Sequence, residues 1–141
     1  MKIRTLVVGK IKEREVRATA DDYLKRIARY TKIEEREVKS DRALGEAIQG
    51  DTVVALEVNG KRWTSEEFSR QVESWSRRGK GEITFLIGGA EGIPKELSVQ
   101  ADHQMSLSSM TLPHRIARVI LYEQIYRAFT IQRGEPYARE G

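Results

Sequence analysis

The apolar residues of this chain change their spacing repeatedly between strand-like and helix-like periods, and that alternation constrains the fold more than any other feature. Residues 3–8 are β-branched and apolar up to Gly9, which reads as a buried strand. Over 13–30, Val16, Ala20, Tyr23, Leu24 and Ile27 recur as one face of a helix must. The opposite face carries Arg17, Lys25, Arg26 and Arg29, read first as a solvated face and second as a surface for RNA. Residues 31–38 alternate polar and apolar like a half-exposed strand, and 40–48 make a short helix stopped by Gly50.

A second buried strand spans 52–58, and Asn59-Gly60 after it is a turn signal, since both residues tolerate positive φ. Thr64 three residues before Glu67 is a capping box, opening a helix through Phe68, Val72 and Trp75 that Gly79 and Gly81 end. Strand 82–87, helix 94–101, strand 104–107 and a long helix from Pro113 to about Phe129 complete the series, with Pro113 expected in its first turn. Strands and helices in alternation predict an α/β fold with a largely parallel sheet flanked by helices. A length of 141 residues suits one domain over 1–141.

Composition removes several functions. With no cysteine, disulfides, thiolate metal sites and cysteine nucleophiles are excluded. His103 and His114 are the two histidines, eleven positions apart with no H-E-x-x-H pattern, so no metal is expected. The net charge of +4 admits a polyanionic partner. Met1 to Gly9 is too short and too charged for a signal peptide or membrane span, which makes the cytoplasm the expected location.

In open α/β sheets ligands collect beyond the carboxyl ends of the strands. Three such loops stand out: the one carrying Glu57, Asn59 and Gly60; Gly88-Gly89-Ala90-Glu91-Gly92; and 107–114. The glycine cluster has neither the G-x-G-x-x-G order nor a P-loop ending, so it reads either as a tight turn or as bare backbone near a ligand. Ser108, Ser109 and His114 lack a nucleophile elbow, and loop hydroxyls commonly bond to backbone, which disfavours a hydrolase. The last helix carries Ile116, Ala117, Val119, Ile120, Leu121, Ile125, Ala128 and Phe129 on more than one face, so a partner subunit could cover one side. Glu123 and Arg127 on it are four apart in the favourable order.

Leu6-Val7-Val8-Gly9-Lys10, Ala55-Leu56-Glu57, Gly60-Lys61, Leu86 to Gly92, Leu107 to His114 and Glu123-Gln124-Ile125-Tyr126-Arg127-Ala128 occur in one order. In these motifs, and nearly end to end, the chain resembles the RlmH family of ribosomal large-subunit pseudouridine N3-methyltransferases, within the knotted SPOUT superfamily. The resemblance implies a C-terminal trefoil knot, a rare exception to the rule against threaded connections. It also implies S-adenosylmethionine as cofactor, a homodimer whose subunits build each active site together, and large-subunit rRNA or the ribosome as substrate. Carried over by motif, the cofactor-binding positions are Leu56, Gly88, Leu107, Ser108, Ser109, Met110, Thr111 and Leu112. Glu123, Arg127, Tyr137 and Arg139 fall on the substrate side. The family's terminal Tyr-His-Arg/Lys pattern reads Tyr137-Ala138-Arg139 in this chain, so the proton acceptor is left unassigned. The alternative is a catalytically weak or inactive ribosome-binding module of the same fold; a third reading is the same chemistry on another nucleoside.

Overall fold

A computed structural model describes residues 1–139. Five strands and five helices alternate: β1 (Lys2–Val8), α1 (Arg14–Ile27), β2 (Lys32–Val38), α2 (Asp41–Ala47), β3 (Thr52–Arg62), α3 (Ser65–Trp75), β4 (Glu82–Ile87), α4 (Lys95–Gln100), β5 (His103–Ser106) and α5 (His114–Gln132). A 3-10 turn at Pro136–Arg139 follows. The sheet order is β2-β1-β4-β3-β5, and every pairing is parallel.

Parallel strands are buried on both faces, and the side-chain alternation shows how. Ile3, Val7, Val54, Ile83, Phe85 and Ile87 point to one face, where α1, α3 and α5 bring Ala20, Ile27, Phe68, Val72, Trp75, Leu121, Ile125 and Phe129. Leu6, Ala55 and Leu86 point to the other, against Leu44 and Ala47 of α2, with Leu97 of α4 beside them. The result is a three-layer α/β/α domain with α5 in the thicker outer layer. The capping box at Thr64 is complete: Oγ1 accepts from Glu67 N–H at 3.1 Å, and the Glu67 carboxylate accepts from Thr64 N–H at 2.9 Å.

Two expectations need correction. Asn59-Gly60 is not a turn that ends the strand. Neither residue has positive φ, and β3 runs on to Arg62, with Leu56 and Lys61 both in register with Met105 of β5. Residues 57–60 therefore bulge out of a continuous strand. A Cβ on Gly60 would lie 2.7 Å from the Gln104 carbonyl and Met105 nitrogen, so glycine serves close backbone approach there. Pro113 is the N-cap of α5, one residue before the first turn where it was expected.

One polar cluster lies inside this fold. Arg118 of α5 has a fully buried side chain, and its guanidinium donates to Glu37 at 2.6 Å, to Glu35 at 3.3 Å and to the Gly9 carbonyl at 3.2 Å. The Tyr122 hydroxyl donates to Glu35 at 2.6 Å, leaving Thr5 Oγ1 to donate to Tyr122 at 2.8 Å. Arg17, expected on the outer face of α1, reaches Glu35 at 2.9 Å. Burial works to raise the Glu35 carboxyl pKa, but the bonds from Tyr122 and Arg17 and the charge of Arg118 outweigh it, leaving it below the ordinary 4.5. Among the described residues no helix is long and apolar enough to cross a membrane.

Removing Glu35 would leave two arginines and a tyrosine short of an acceptor. Glu35→Ala is expected to cost about 3 kcal/mol, read as a lower urea midpoint at pH 7. Because the folded pKa is depressed, this contribution is complete above pH 4.5 and is lost as pH falls through the folded value, so parent and variant should converge in acid.

Candidate functional site

The carboxyl ends of β3, β4 and β5 converge beside the first turn of α5, and between them lies a cavity of about 250 Å³. Each wall has a separate cause. Leu56, Glu57 and Val58 come from the β3 bulge, which turns the strand edge outward. Ile87, Gly88, Gly89, Ala90 and Gly92 come from the end of β4, where Gly92 N–H donates to the Gly89 carbonyl at 3.0 Å and Gly92 has φ +82°. The glycine cluster is thus both a tight turn and a wall of the cavity. Met105, Leu107, Ser108, Met110, Thr111 and Leu112 form the third side, and Ala117 of α5 the fourth.

Of the eight positions expected to hold a cofactor, Leu56, Gly88, Leu107, Ser108, Met110, Thr111 and Leu112 line this cavity, and Ser109 does not. Ser109 is exposed in the same loop. Ser108 Oγ accepts from Met110 N–H at 3.0 Å, and its carbonyl accepts from Ser106 Oγ at 2.9 Å. This serine shapes the loop, consistent with the reading that disfavoured a nucleophile. The lining is mostly apolar with open backbone, a pattern suited to a flat heteroaromatic ring. Glu57 is its acidic member, held by Ser98 Oγ at 3.0 Å.

Sequence reasoning missed Ala117, Met105, Ile87 and Val58 as wall residues. Ala117 had a usable signal: a small side chain one turn beyond the 107–113 loop. Gly88 has a stricter role than openness. A Cβ there would collide with the Gly92 carbonyl group and come within 2.5 Å of Ile93 N, so no side chain can be accommodated without moving the turn.

The substrate-side residues form a second group. The Glu123 carboxylate accepts from Arg127 at 2.7 and 3.0 Å and from the Tyr137 hydroxyl at 2.7 Å. The Arg127 guanidinium lies 5.1 Å from the centre of the Tyr137 ring. The bond to Glu123 raises the Arg127 pKa, while burial and hydrogen bonding raise that of Tyr137, so one stays charged and the other protonated. Arg139 is exposed, Ala138 presents no proton acceptor, and Glu140 lies outside the described residues. Arg127 is ten residues beyond Ala117 on α5, about 15 Å along a helix axis. Glu123, Arg127 and Tyr137 are not among the residues that line the cavity.

His103 Nε2 accepts from Trp75 Nε1 at 3.1 Å, and His114 Cε1 sits 3.7 Å from where a Gly9 Cβ would be. Burial lowers both pKa values.

Against known proteins, the family described as predicted SPOUT methyltransferase matches residues 1–138. The ribosomal RNA large subunit methyltransferase H of Sorangium cellulosum is 47% identical over 98% of this chain and 99% of its own length. Among solved structures, a methylase-family protein from Haemophilus influenzae superposes with a TM-score of 0.63 at 13% identity, over 96% of this chain and 69% of that one. A Legionella pneumophila methyltransferase solved with SAM bound has a TM-score of 0.55 at 11% identity, over 91% of this chain and 66% of that one. At such identities these two likenesses concern the fold alone.

The wall at β4 makes a graded prediction. Gly88→Ala should cost about 2 kcal/mol or more because backbone must shift. Gly92→Ala, with open space but a positive φ, should cost about 1 kcal/mol. Urea denaturation of both variants checks the order.

Proposed function

Since the chain belongs to the SPOUT methyltransferase family, we propose that it transfers the methyl group of S-adenosylmethionine to N3 of a pseudouridine in large-subunit rRNA. It does so as a cytoplasmic homodimer of single methyltransferase domains, with the C-terminal part knotted. The observation that carries this reading is the split geometry: a largely apolar cavity at one end of α5 and an Arg-Glu-Tyr group about 15 Å along it. Two copies packed through α5 would set the group of one beside the cavity of the other. Partly exposed Ile116 and Ile120 on α5, and Val58 and Met110 exposed at the cavity mouth, supply apolar surface for such a partner.

The cavity fits S-adenosylmethionine on its own terms. Leu56, Leu107, Met110 and Leu112 suit an adenine ring, bare backbone at Gly88 and Gly89 suits its polar edge, and the Glu57 carboxylate suits a cationic ligand. Bound there, S-adenosylmethionine supplies an electrophilic methyl carbon on a cationic sulfur. The pseudouridine N3–H gives its proton to solvent water, and the nitrogen attacks the methyl carbon in line as the carbon–sulfur bond breaks and S-adenosylhomocysteine leaves, so the protein's work is positioning and charge stabilisation. Arg127, kept charged and oriented by Glu123, stabilises negative charge on the base. Tyr137 stays protonated and donates rather than accepts. A second reading, a ribosome-binding module that has lost its chemistry, rests on Ala138 where the family pattern has His.

Purified protein, labelled S-adenosylmethionine and ribosomes lacking the modification decide between them. Methyl transfer mapped to N3 of a large-subunit pseudouridine is the expected result; association without transfer would favour the inactive module. Arg127→Ala should lower kcat about 100-fold while cofactor affinity stays within about twofold. Ala117→Phe, which fills the cavity from α5, should weaken cofactor binding by at least about tenfold in calorimetric titration, with the melting temperature retained.

A further inference from the structure

The connection between β1 and α1 lies on the rim of the cavity and is unusually well fixed. Gly9 turns the chain with φ +100°, its N–H donates to the Val38 carbonyl at 3.0 Å, and its own carbonyl accepts from Arg118 at 3.2 Å. Ile11 is buried and anchors the middle of the loop. Glu13 accepts from Arg115 of α5 at 2.6 Å, tying the far end down. The rim position follows from two contacts: a Cβ on the cavity-lining Gly89 would lie 3.3 Å from Val8, and Gly9 abuts His114, just past the cavity-lining 107–112 run.

This rigid loop displays cations. Lys10 and Lys12 flank the buried Ile11 and are exposed, Arg14 follows in the first turn of α1, and none of the three makes an ion pair among the described residues. The nearby acids are Glu13, which Arg115 engages, and Glu15, so the loop is net positive. Arg17 and Arg26 on the body of α1 are engaged by carboxylates, whereas Lys25 and Arg29 are exposed and make no ion pair among the described residues, so it is the place beside the cavity that distinguishes the loop lysines. Exposed, unpaired lysines on a fixed stretch of backbone beside a cavity suit a phosphate backbone, because no ion pair has to be broken and no loop ordered before they meet it.

We infer that the Lys10–Ile11–Lys12 loop is a docking edge for the rRNA backbone, holding phosphates next to the base delivered to the cavity; this rests on the rRNA methyltransferase reading. The outer face of α1, read first as solvated, keeps that reading, and the RNA contact considered second for it is placed on the loop before it.

The test is ribosome binding by sedimentation as a function of salt. Lys10→Glu with Lys12→Glu is compared with a control of equal charge change, Lys25→Glu with Arg29→Glu in the last turn of α1 and just after it. The loop pair is expected to weaken binding at least about tenfold and the control less than about twofold. Lys10→Ala with Lys12→Ala should flatten the slope of log affinity against log salt by about two, and Lys10→Arg with Lys12→Arg should restore it. Unchanged S-adenosylmethionine titration shows that each variant is folded. Equal loss in loop and control pairs, or no loss in the loop pair, overturns the inference while parental methyl transfer keeps the enzyme reading intact. Failure of the parent both to bind ribosomes and to transfer methyl overturns both.

Discussion

The burial of Arg118 is the interaction on which the rest of the structure depends. A guanidinium with no solvent exposure is tolerated only where carboxylates and carbonyls receive it, and Glu37, Glu35 and the Gly9 carbonyl do so from β2 and the end of β1. Its Nε finds no partner among the described residues, so the satisfaction is incomplete and depends on the remaining bonds staying short. The consequence is geometric. Arg118 fixes the rotation of α5 about its axis, and Ala117, the preceding residue, is thereby turned towards the cavity. The same carbonyl bond pins Gly9, so one side chain sets both a wall of the pocket and the loop on its rim.

The sheet supplies the other half of the arrangement. All five strands run the same way, so their carboxyl ends gather on one edge, and the β3 bulge, the β4 glycine turn and the loop after β5 meet there. Each loop has its own local device: a strand interrupted by four residues, a positive φ at Gly92, a serine hydroxyl folded back on Met110 N–H. None of these devices requires a ligand, so the cavity is preformed, and its lining is fitted by backbone as much as by side chains.

The order and type of the elements were legible in the sequence, because periods of two and 3.6 residues report directly which face is buried. That Leu107, Ser108, Met110, Thr111, Leu112 and Gly88 would share one cavity was legible only through family resemblance, which also included the exposed Ser109, since a loop's conformation has no period to read. What escaped were features set by contacts far apart in the chain. Asn59-Gly60 looks like a turn locally, and only the backbone of β5 explains the glycine. Glu35 and Glu37 look like the solvent side of an edge strand, and only α5, some eighty residues later, shows why two acids belong there. Arg17 was drawn from a solvated face into the same cluster.

A composite site makes a demand that no single-chain enzyme meets, and mixing two defective subunits tests it directly. A cavity-blocked Ala117→Phe subunit keeps its Arg127, and an Arg127→Ala subunit keeps its cavity. If the cavity of one copy works with the Arg127 of the other, an equal mixture should recover about a quarter of parental methyl transfer, from the one intact site in each mixed dimer. If the mixture is as inactive as its components, although mixed dimers form, cavity and Arg127 act within one chain and the split geometry has been misread.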